Sequence, residues 1–199
     1  MGAAQKRRTL YLYCGACFQT LAPAMSTIQS CELPGSALLR AYRDSGAYTD
    51  CYVTEVAWPV SRPDYVEAFY TTDVFKLERR ILGWFAAAPS SDEEVRRLAS
   101  GALDAFAAWR VEAQTPEQLL LRDVSGRTRS WLMVEPVGSL EPSGSTRLYF
   151  GSAVVPVVSA GKASLGVAFR ALLGFHKVYS RLLLHATRSR LNARIREKK

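Results

Sequence analysis

The sequence predicts one α+β domain in which an antiparallel β-sheet is followed by a long C-terminal helix. Segments rich in β-branched and aromatic residues alternate with turn residues over the second half of the chain. Two serine capping signatures precede them, and one apolar stripe at helical spacing follows them. A chain of 199 residues with 48% hydrophobic and 22% charged residues is typical of one globular domain, so we expect folding without metals or disulfides.

The first 35 residues are predicted to be a poorly ordered extension, and the domain is placed at residues 36–199. Lys6–Arg8 precede a mildly apolar stretch that ends in Ala22–Ala24, as in a secretory signal. The stretch is interrupted by polar residues and is too short to span a bilayer. We favour an extension, with Met25 as a candidate functional start, and therefore a cytoplasmic protein; a signal peptide would make it secreted or periplasmic.

The domain is expected to begin with a short helix at Ser36–Asp44 and a first strand at Tyr48–Trp58. The strand is dense in tyrosine, valine and threonine, which favour extended backbone, and it stops at Pro59. These elements would provide one edge of the sheet.

Short helices are expected between the first and second strands. Ser61–Asp64 is an N-capping signature, and the apolar periodicity after it continues to Phe85, with a candidate break at Thr71–Thr72. Ser91–Glu94 repeats the capping signature, and Gly101 is positioned to end that second helix.

The next region reads as an antiparallel meander. Three strands are predicted at Phe106–Ala113, Glu117–Val124 and Arg127–Glu135, with turn residues between them. A longer strand is predicted at Thr146–Val158, where Pro156 indicates a sheet edge or a bulge. With the first strand, this makes about five strands.

A long amphipathic helix is predicted after Gly161. Beyond Leu191 the apolar stripe thins, so the last turns are expected to project into solvent. The stripe that predicts the helix is Leu165, Phe169, Leu172, His176, Tyr179, Leu183 and Ala186.

The net charge of +8 is concentrated at the C-terminus, where residues 162–199 contain ten basic side chains and one acidic side chain. The sequence contains no helix-turn-helix pattern and no aromatic-basic motif, so no nucleic-acid partner is predicted. It also contains no glycine-rich phosphate loop, no Gly-x-Ser-x-Gly elbow and no histidine-rich motif, which argues against common nucleotide-using and hydrolytic enzymes. We predict no cofactor.

The four cysteines give a poor disulfide framework, since all lie near the start of the chain. Cys14 and Cys17 have the spacing of a redox pair or a zinc half-site. Zinc would need a second ligand pair and redox chemistry a strand-helix context, and neither is evident. No metal site is predicted.

The order of strand, short helices, antiparallel meander and long final helix resembles the helix-grip fold. This fold is shared by START lipid-transfer domains, plant pollen-allergen proteins and polyketide cyclases, the SRPBCC superfamily. The resemblance covers roughly Tyr48–Asn192, and Gly166–Tyr179 is similar to the final helix of an uncharacterised bacterial branch in which glycines, an aromatic residue and a Phe-His pair recur. The strand count departs from the six or seven of the superfamily. The resemblance implies a curved sheet wrapped around the final helix, with an apolar cavity between them that binds a hydrophobic small molecule.

Four aromatic residues lie on the elements that would line such a cavity, and rings with polar edges suit an apolar ligand. Packing in the core is the alternative for each of them. They are Trp109, Trp131, Tyr149 and Phe169.

His176 lies in the apolar stripe of the final helix. Its imidazole is a candidate ligand contact or general base, and a core histidine bonded to a backbone carbonyl is the alternative. Sequence spacing places no second histidine or carboxylate beside it. Four acidic residues on or near the meander are candidates for acid–base catalysis, and their alternation and turn positions suit solvated strand faces. They are Asp104, Glu112, Asp123 and Glu135.

Three functions remain open from the sequence. The first is a module that binds an apolar small molecule beneath the final helix. The second is an enzyme of the cyclase or dehydratase kind that uses the same cavity, with His176 as acid or base and the other catalytic groups unidentified. The third is an interaction protein whose basic final helix makes weak contact with an anionic surface. The sequence indicates no oligomeric state.

Overall fold

A computed structural model describes residues 28–76, 91–138, 144–159, 162–164 and 167–197, and it describes side chains at 28–76, 91–138, 144–156 and 176–197. The predicted α+β class is confirmed: a curved antiparallel sheet carries a C-terminal helix on one face. None of the helices in these ranges is both long enough and apolar enough to cross a lipid bilayer.

The main sheet has seven strands in the order β1-β2-β7-β6-β5-β4-β3. Every adjacent pair is antiparallel, and β2 pairs with β7 along its whole length, so the meander closes onto the first long strand. A separate hairpin consists of β8 (Val157–Ser159) and β9 (Lys162–Ser164). The seven strands are β1 (Gln29–Ser30), β2 (Tyr48–Val56), β3 (Ala105–Phe106), β4 (Trp109–Gln114), β5 (Gln118–Asp123), β6 (Thr128–Val137) and β7 (Ser145–Val154).

The helices in the described ranges are α1 (Arg40–Asp44), α2 (Arg62–Tyr70), α3 (Asp92–Ala99) and α4 (Val167–Glu197), and residues 73–76 are also helical. The predicted caps are confirmed. The Ser61 side chain accepts a hydrogen bond from the Asp64 backbone N–H at 3.2 Å, and α2 ends at Thr71, the candidate break. Ser91 and Glu94 form a reciprocal capping box on α3, and Gly101 follows the last turn with φ +78°.

Helix α4 packs on α2 and on strands β2 and β7, which gives a helix-grip-like architecture. We call the side of the sheet that faces α2 and α4 the inner face. Its core includes Tyr52, Leu132 and Phe150 from the strands and Leu183 and Leu184 from α4. Burial of this apolar surface is the main stabilising contribution to the contact between helix and sheet.

The opposite side, the outer face, has a second core. Trp131 and Tyr149 project there and pack against Leu39 from the segment before α1, so residues 31–42 cover this face. Gly151 makes this close approach possible. A Cβ at this position would lie 3.0 Å from both Leu39 and Trp131 side-chain atoms and 2.9 Å from the Asp50 carbonyl oxygen.

Several predicted boundaries are wrong in the strands. The strand predicted at Phe106–Ala113 is two strands, β3 and β4, joined by a tight turn in which Ala107 has φ +51°. Alanine carries no turn signal, so the pattern appeared continuous. The strand predicted to reach Val158 ends at Val154, because Pro156 cannot donate a backbone hydrogen bond to continue the ladder.

The N-terminal boundary and the end of the final helix also differ from expectation. Strand β1 pairs with β2 and Leu33 is buried, so residues 28–35 belong to the folded domain; residues 1–27 lie outside the described range. At the other end, Arg194 is ion-paired with Glu67 of α2 at 2.8 Å, so this part of α4 packs on α2 instead of projecting into solvent.

Candidate functional site

A partly buried polar cluster lies on the inner face where β2, β7 and α4 meet. It consists of Asp50 on β2, Ser152 on β7 and His176 on α4. Asp50 and Ser152 are register partners across the β2–β7 pair, and Asp50 points to the same side as Tyr52, which lies in the inner core. The three side chains therefore meet beneath the final helix. We call them the inner cluster.

Hydrogen bonds fix the proton arrangement of the inner cluster. The Ser152 backbone N–H and hydroxyl both approach Asp50 Oδ1, at 3.1 and 2.6 Å. A carboxylate only accepts, so the single Ser152 hydroxyl proton is donated to Asp50. Ser152 Oγ lies 2.7 Å from His176 Nε2 and must then accept, which places a proton on Nε2. The same nitrogen lies 3.3 Å from Asp50 Oδ2.

This geometry differs from that of a nucleophilic triad. In a triad the histidine accepts the serine proton at one ring nitrogen and is oriented by the carboxylate at the other. Here Ser152 donates to Asp50, and both groups meet Nε2 of His176. Ser152 is therefore arranged as a bridge between acid and imidazole, not as an activated nucleophile.

The inner cluster has unused hydrogen-bonding capacity. The Asp50 side chain is 9% exposed and that of His176 is 24% exposed. Asp50 Oδ2 is buried and makes no hydrogen bond to any described residue. A carboxylate oxygen removed from water without a hydrogen bond costs on the order of 1–3 kcal/mol or more, and the His176 Nε2 N–H at 3.3 Å offsets part of that cost.

Polar groups continue across the inner face beside the cluster. Ser130 on β6 is the register partner of Ser152, and Tyr70 of α2 lies with its hydroxyl 3.1 Å from Ser130 Oγ. On α4, buried Ser180 donates to the His176 carbonyl at 2.9 Å. The inner face therefore combines an apolar core with a row of polar side chains at one place, as ligand sites commonly do.

Among the predicted ligand-contacting residues whose side chains are described, His176 alone lies in this cluster. Its Nε2 contacts the side chains of Ser152 and Asp50. Trp109 is half-buried against the inner core on β4, and its buried indole N–H has no hydrogen bond among the described residues. The Phe169 side chain lies outside the described residues.

Trp131 and Tyr149 lie on the outer face, so they do not line the space between the sheet and α4. The Trp131 side chain is fully buried and donates from Nε1 to Gln118 Oε1 at 2.9 Å. The Tyr149 hydroxyl donates to Glu135 at 2.7 Å, and burial, followed by this hydrogen bond, raises the pKa of Tyr149 to about 12. Alternation puts neighbouring strand residues on opposite faces, and the sequence did not show which set meets the helix.

The sequence analysis missed Asp50 and Ser152. Their contact joins positions 102 residues apart, which no local spacing indicates. A usable signal was present in Asp50 itself: a charged residue in the middle of a β-rich strand, at the same parity as the apolar Tyr52 and Val56. A charged strand residue is expected to face solvent, and one that is buried is expected to be paired with another polar or charged group.

Two further features bear on the functions considered from the sequence. In the part of the chain that is described, no group of three or more His, Cys, Asp or Glu residues is arranged to hold a metal. Two basic residues of α4 make contacts within the domain: Arg194 pairs with Glu67, and the Arg181 guanidinium lies 5.6 Å from the centre of the Tyr52 ring. These two basic side chains of α4 therefore make contacts within the domain.

A small pocket of about 130 Å³ lies near the end of α4. Since Leu191 follows His176 by fifteen residues, the pocket is about 22 Å along the helix from the inner cluster. It is well below the volume that usually holds a small-molecule ligand. Its lining residues are Trp58, Pro59, Val60, Asp64, Leu191, Arg194 and Ile195.

The chain matches no protein-family model, and neither curated proteins nor solved structures give a significant match to it.

Proposed function

We propose that the domain binds a small, predominantly apolar molecule between the inner face of the sheet and α4. In this proposal the inner cluster meets the polar group of that molecule. The observation that carries it is the Asp50 carboxylate, which is 9% exposed on the face that the final helix covers; its Oδ2 makes no hydrogen bond to a described residue and lies 3.3 Å from His176 Nε2. A ligand that donates a hydrogen bond there would offset the cost of burying the carboxylate.

The chemistry of the cluster narrows the ligand class. Asp50 offers a negatively charged acceptor, so a hydroxyl or amino group on the ligand suits it and a carboxylate does not. The Trp109 indole N–H offers a donor elsewhere on the inner face. An apolar molecule with a hydroxyl or amine at one end fits both the core and the cluster.

The architecture also supports kinship with the START and polyketide-cyclase superfamily. The sheet has seven strands, which agrees with the six or seven of the superfamily, whereas the sequence predicted about five. The strand order places the first long strand β2 beside the last long strand β7, with the final helix packed on both. Membership of a bacterial branch of this superfamily, and a cytoplasmic location, remain part of the proposal.

A second candidate is an enzyme of the cyclase or dehydratase kind. The observation that favours it is the pairing of a partly exposed imidazole with a carboxylate, since His176 Nε2 lies 3.3 Å from Asp50. An imidazole beside a carboxylate can take up and release a proton, so His176 would act as the acid or the base in turnover. If this is correct, His176→Gln should retain ligand binding and abolish turnover.

Native mass spectrometry tests the binding proposal. The protein is purified from its native cells without denaturation, as wild type, as Asp50→Asn and as the control Glu135→Gln, which changes a carboxylate on the outer face. Wild type and Glu135→Gln should carry the same small-molecule adduct, and Asp50→Asn should carry at least about tenfold less. Equal adducts in all three proteins, or none in wild type, would contradict the proposal.

A further inference from the structure

Two cysteines outside the inner cluster lie in contact with each other. Cys31 follows β1, and Cys51 lies on β2. Their sulfur atoms are 3.3 Å apart, and the Cys31 backbone N–H donates to the Cys51 carbonyl at 3.0 Å. Both are free thiols. The pairs Gln29–Val53 and Ser30–Tyr52 continue in register to Cys31 opposite Cys51.

We propose that Cys31 and Cys51 are a modification site at which a small-molecule disulfide, of the oxidised glutathione type, converts the pair to an intramolecular disulfide. Directly opposed residues of an antiparallel pair have Cα atoms about 4.5–5.5 Å apart, within the range that a disulfide spans. The sulfur atoms need to approach by about 1.3 Å to reach bonding distance. The backbone is therefore already arranged for the bond.

The two cysteines have different roles in the exchange. Cys31 is half-buried and Cys51 is 4% exposed, so the reagent meets Cys31 first. The hydrogen bond from the Cys51 thiol lowers the pKa of Cys31, and the same contact, with burial, raises the pKa of Cys51. Cys31 is the attacking thiolate because it is the more accessible and the more acidic of the two.

The exchange balances in two steps. The Cys31 thiolate attacks one sulfur of the small disulfide, which forms a mixed disulfide and releases one small thiolate. Cys51 then loses its proton and attacks the Cys31 sulfur, which forms the protein disulfide and releases a second small thiolate. The two protein thiols are oxidised, and the small disulfide is reduced to two thiols.

The disulfide would attach the segment that covers the outer face to the sheet. It would close the loop between residues 31 and 51, which contains α1 and Leu39 of the outer core. Such a cross-link restricts the unfolded chain and stabilises the folded state. Cys51 follows Asp50 in the sequence, but its side chain lies on the outer face, so the inference is independent of ligand binding at the inner cluster.

Peptide mapping of the full chain tests this inference. Cys14 and Cys17 share a tryptic peptide with Cys31, so the test uses the Cys14→Ser/Cys17→Ser protein together with wild type. With oxidised glutathione, this protein should lose two hydrogen atoms in intact mass, and its map should link the Cys31 peptide to the Cys51 peptide. The melting temperature should rise by roughly 6–12 °C, and a reducing agent should reverse the change.

A third substitution, Cys31→Ser, is the matched control and should abolish both the link and the temperature shift. Persistent glutathione adducts without a link, or thiols that stay free, would overturn the inference. So would fragment spectra of the linked wild-type peptides that place the bond to Cys51 at Cys14 or Cys17. The main readout leaves Cys31 and Cys51 unchanged, so it does not depend on whether a Cys51 variant folds.

Discussion

The two faces of the sheet differ in how each holds one central polar side chain. On the outer face, Gln118 accepts hydrogen bonds from the Trp131 indole and the Leu38 backbone N–H, both at 2.9 Å, and donates to the Ser36 carbonyl at 3.0 Å. On the inner face, Asp50 keeps a buried oxygen that makes no hydrogen bond among the described residues. A fully hydrogen-bonded amide contributes to stability, whereas a buried carboxylate oxygen whose nearest described contact is a 3.3 Å approach from His176 Nε2 is less well satisfied. The comparison supports a structural role for Gln118 and is consistent with the proposal that Asp50 meets the polar group of a ligand.

The largest expected effect comes from removing the centre of the outer core. Trp131→Ala should lower the free energy of unfolding by about 3–5 kcal/mol, because a fully buried ring and its hydrogen bond are lost. Urea denaturation followed by circular dichroism measures it. Tyr149→Phe, which removes one partly exposed hydroxyl, should cost less than about 1 kcal/mol. A Trp131→Ala loss as small as that expected for Tyr149→Phe would show that the outer core does not depend on Trp131.

Breaking the Gln118 network should have an intermediate effect. Gln118→Leu keeps the approximate volume and leaves the Trp131 and Leu38 N–H groups without an acceptor, so the free energy of unfolding should fall by about 1–3 kcal/mol. The same denaturation experiment measures the change. Unchanged stability would mean that this network is not structural, and the contrast between the faces would be lost.

The matching change on the inner face should have the smallest effect on stability. Asp50→Asn keeps an oxygen that accepts from both Ser152 donors and removes a buried charge. The free energy of unfolding should therefore fall by less than about 1 kcal/mol, or rise. If Asp50→Asn destabilises the domain as much as Gln118→Leu does, Asp50 has a structural role and the functional interpretation of the inner face is wrong.

Local chemistry predicted the helices well. The caps at Ser61 and Ser91 were identifiable because an N-cap depends on residues three positions apart. The tight turn at Ala107 and the two-residue β1 were not identifiable, since neither carries a turn or strand pattern. Elements that are defined by tertiary contacts therefore escaped the sequence analysis.

The candidate site was predictable only in part, for a similar reason. His176 could be identified from the stripe of α4, but its partners come from β2 and β7, which are distant in sequence. The faces of Trp131 and Tyr149 depend on which strand residues point toward α4, and a shift of one residue in register reverses that assignment. The order of the elements predicted the architecture, and only the register located the inner cluster.

Calorimetric titration with decanol and with decanoate tests most directly whether the inner cluster binds the polar group of a ligand. The two probes share an apolar chain and differ in the head group. Decanol should bind wild type and Glu135→Gln alike, at least about tenfold more tightly than it binds Asp50→Asn, and decanoate should bind wild type more weakly than decanol does. Equal decanol affinity for wild type and Asp50→Asn, or a wild-type preference for decanoate, would contradict the account.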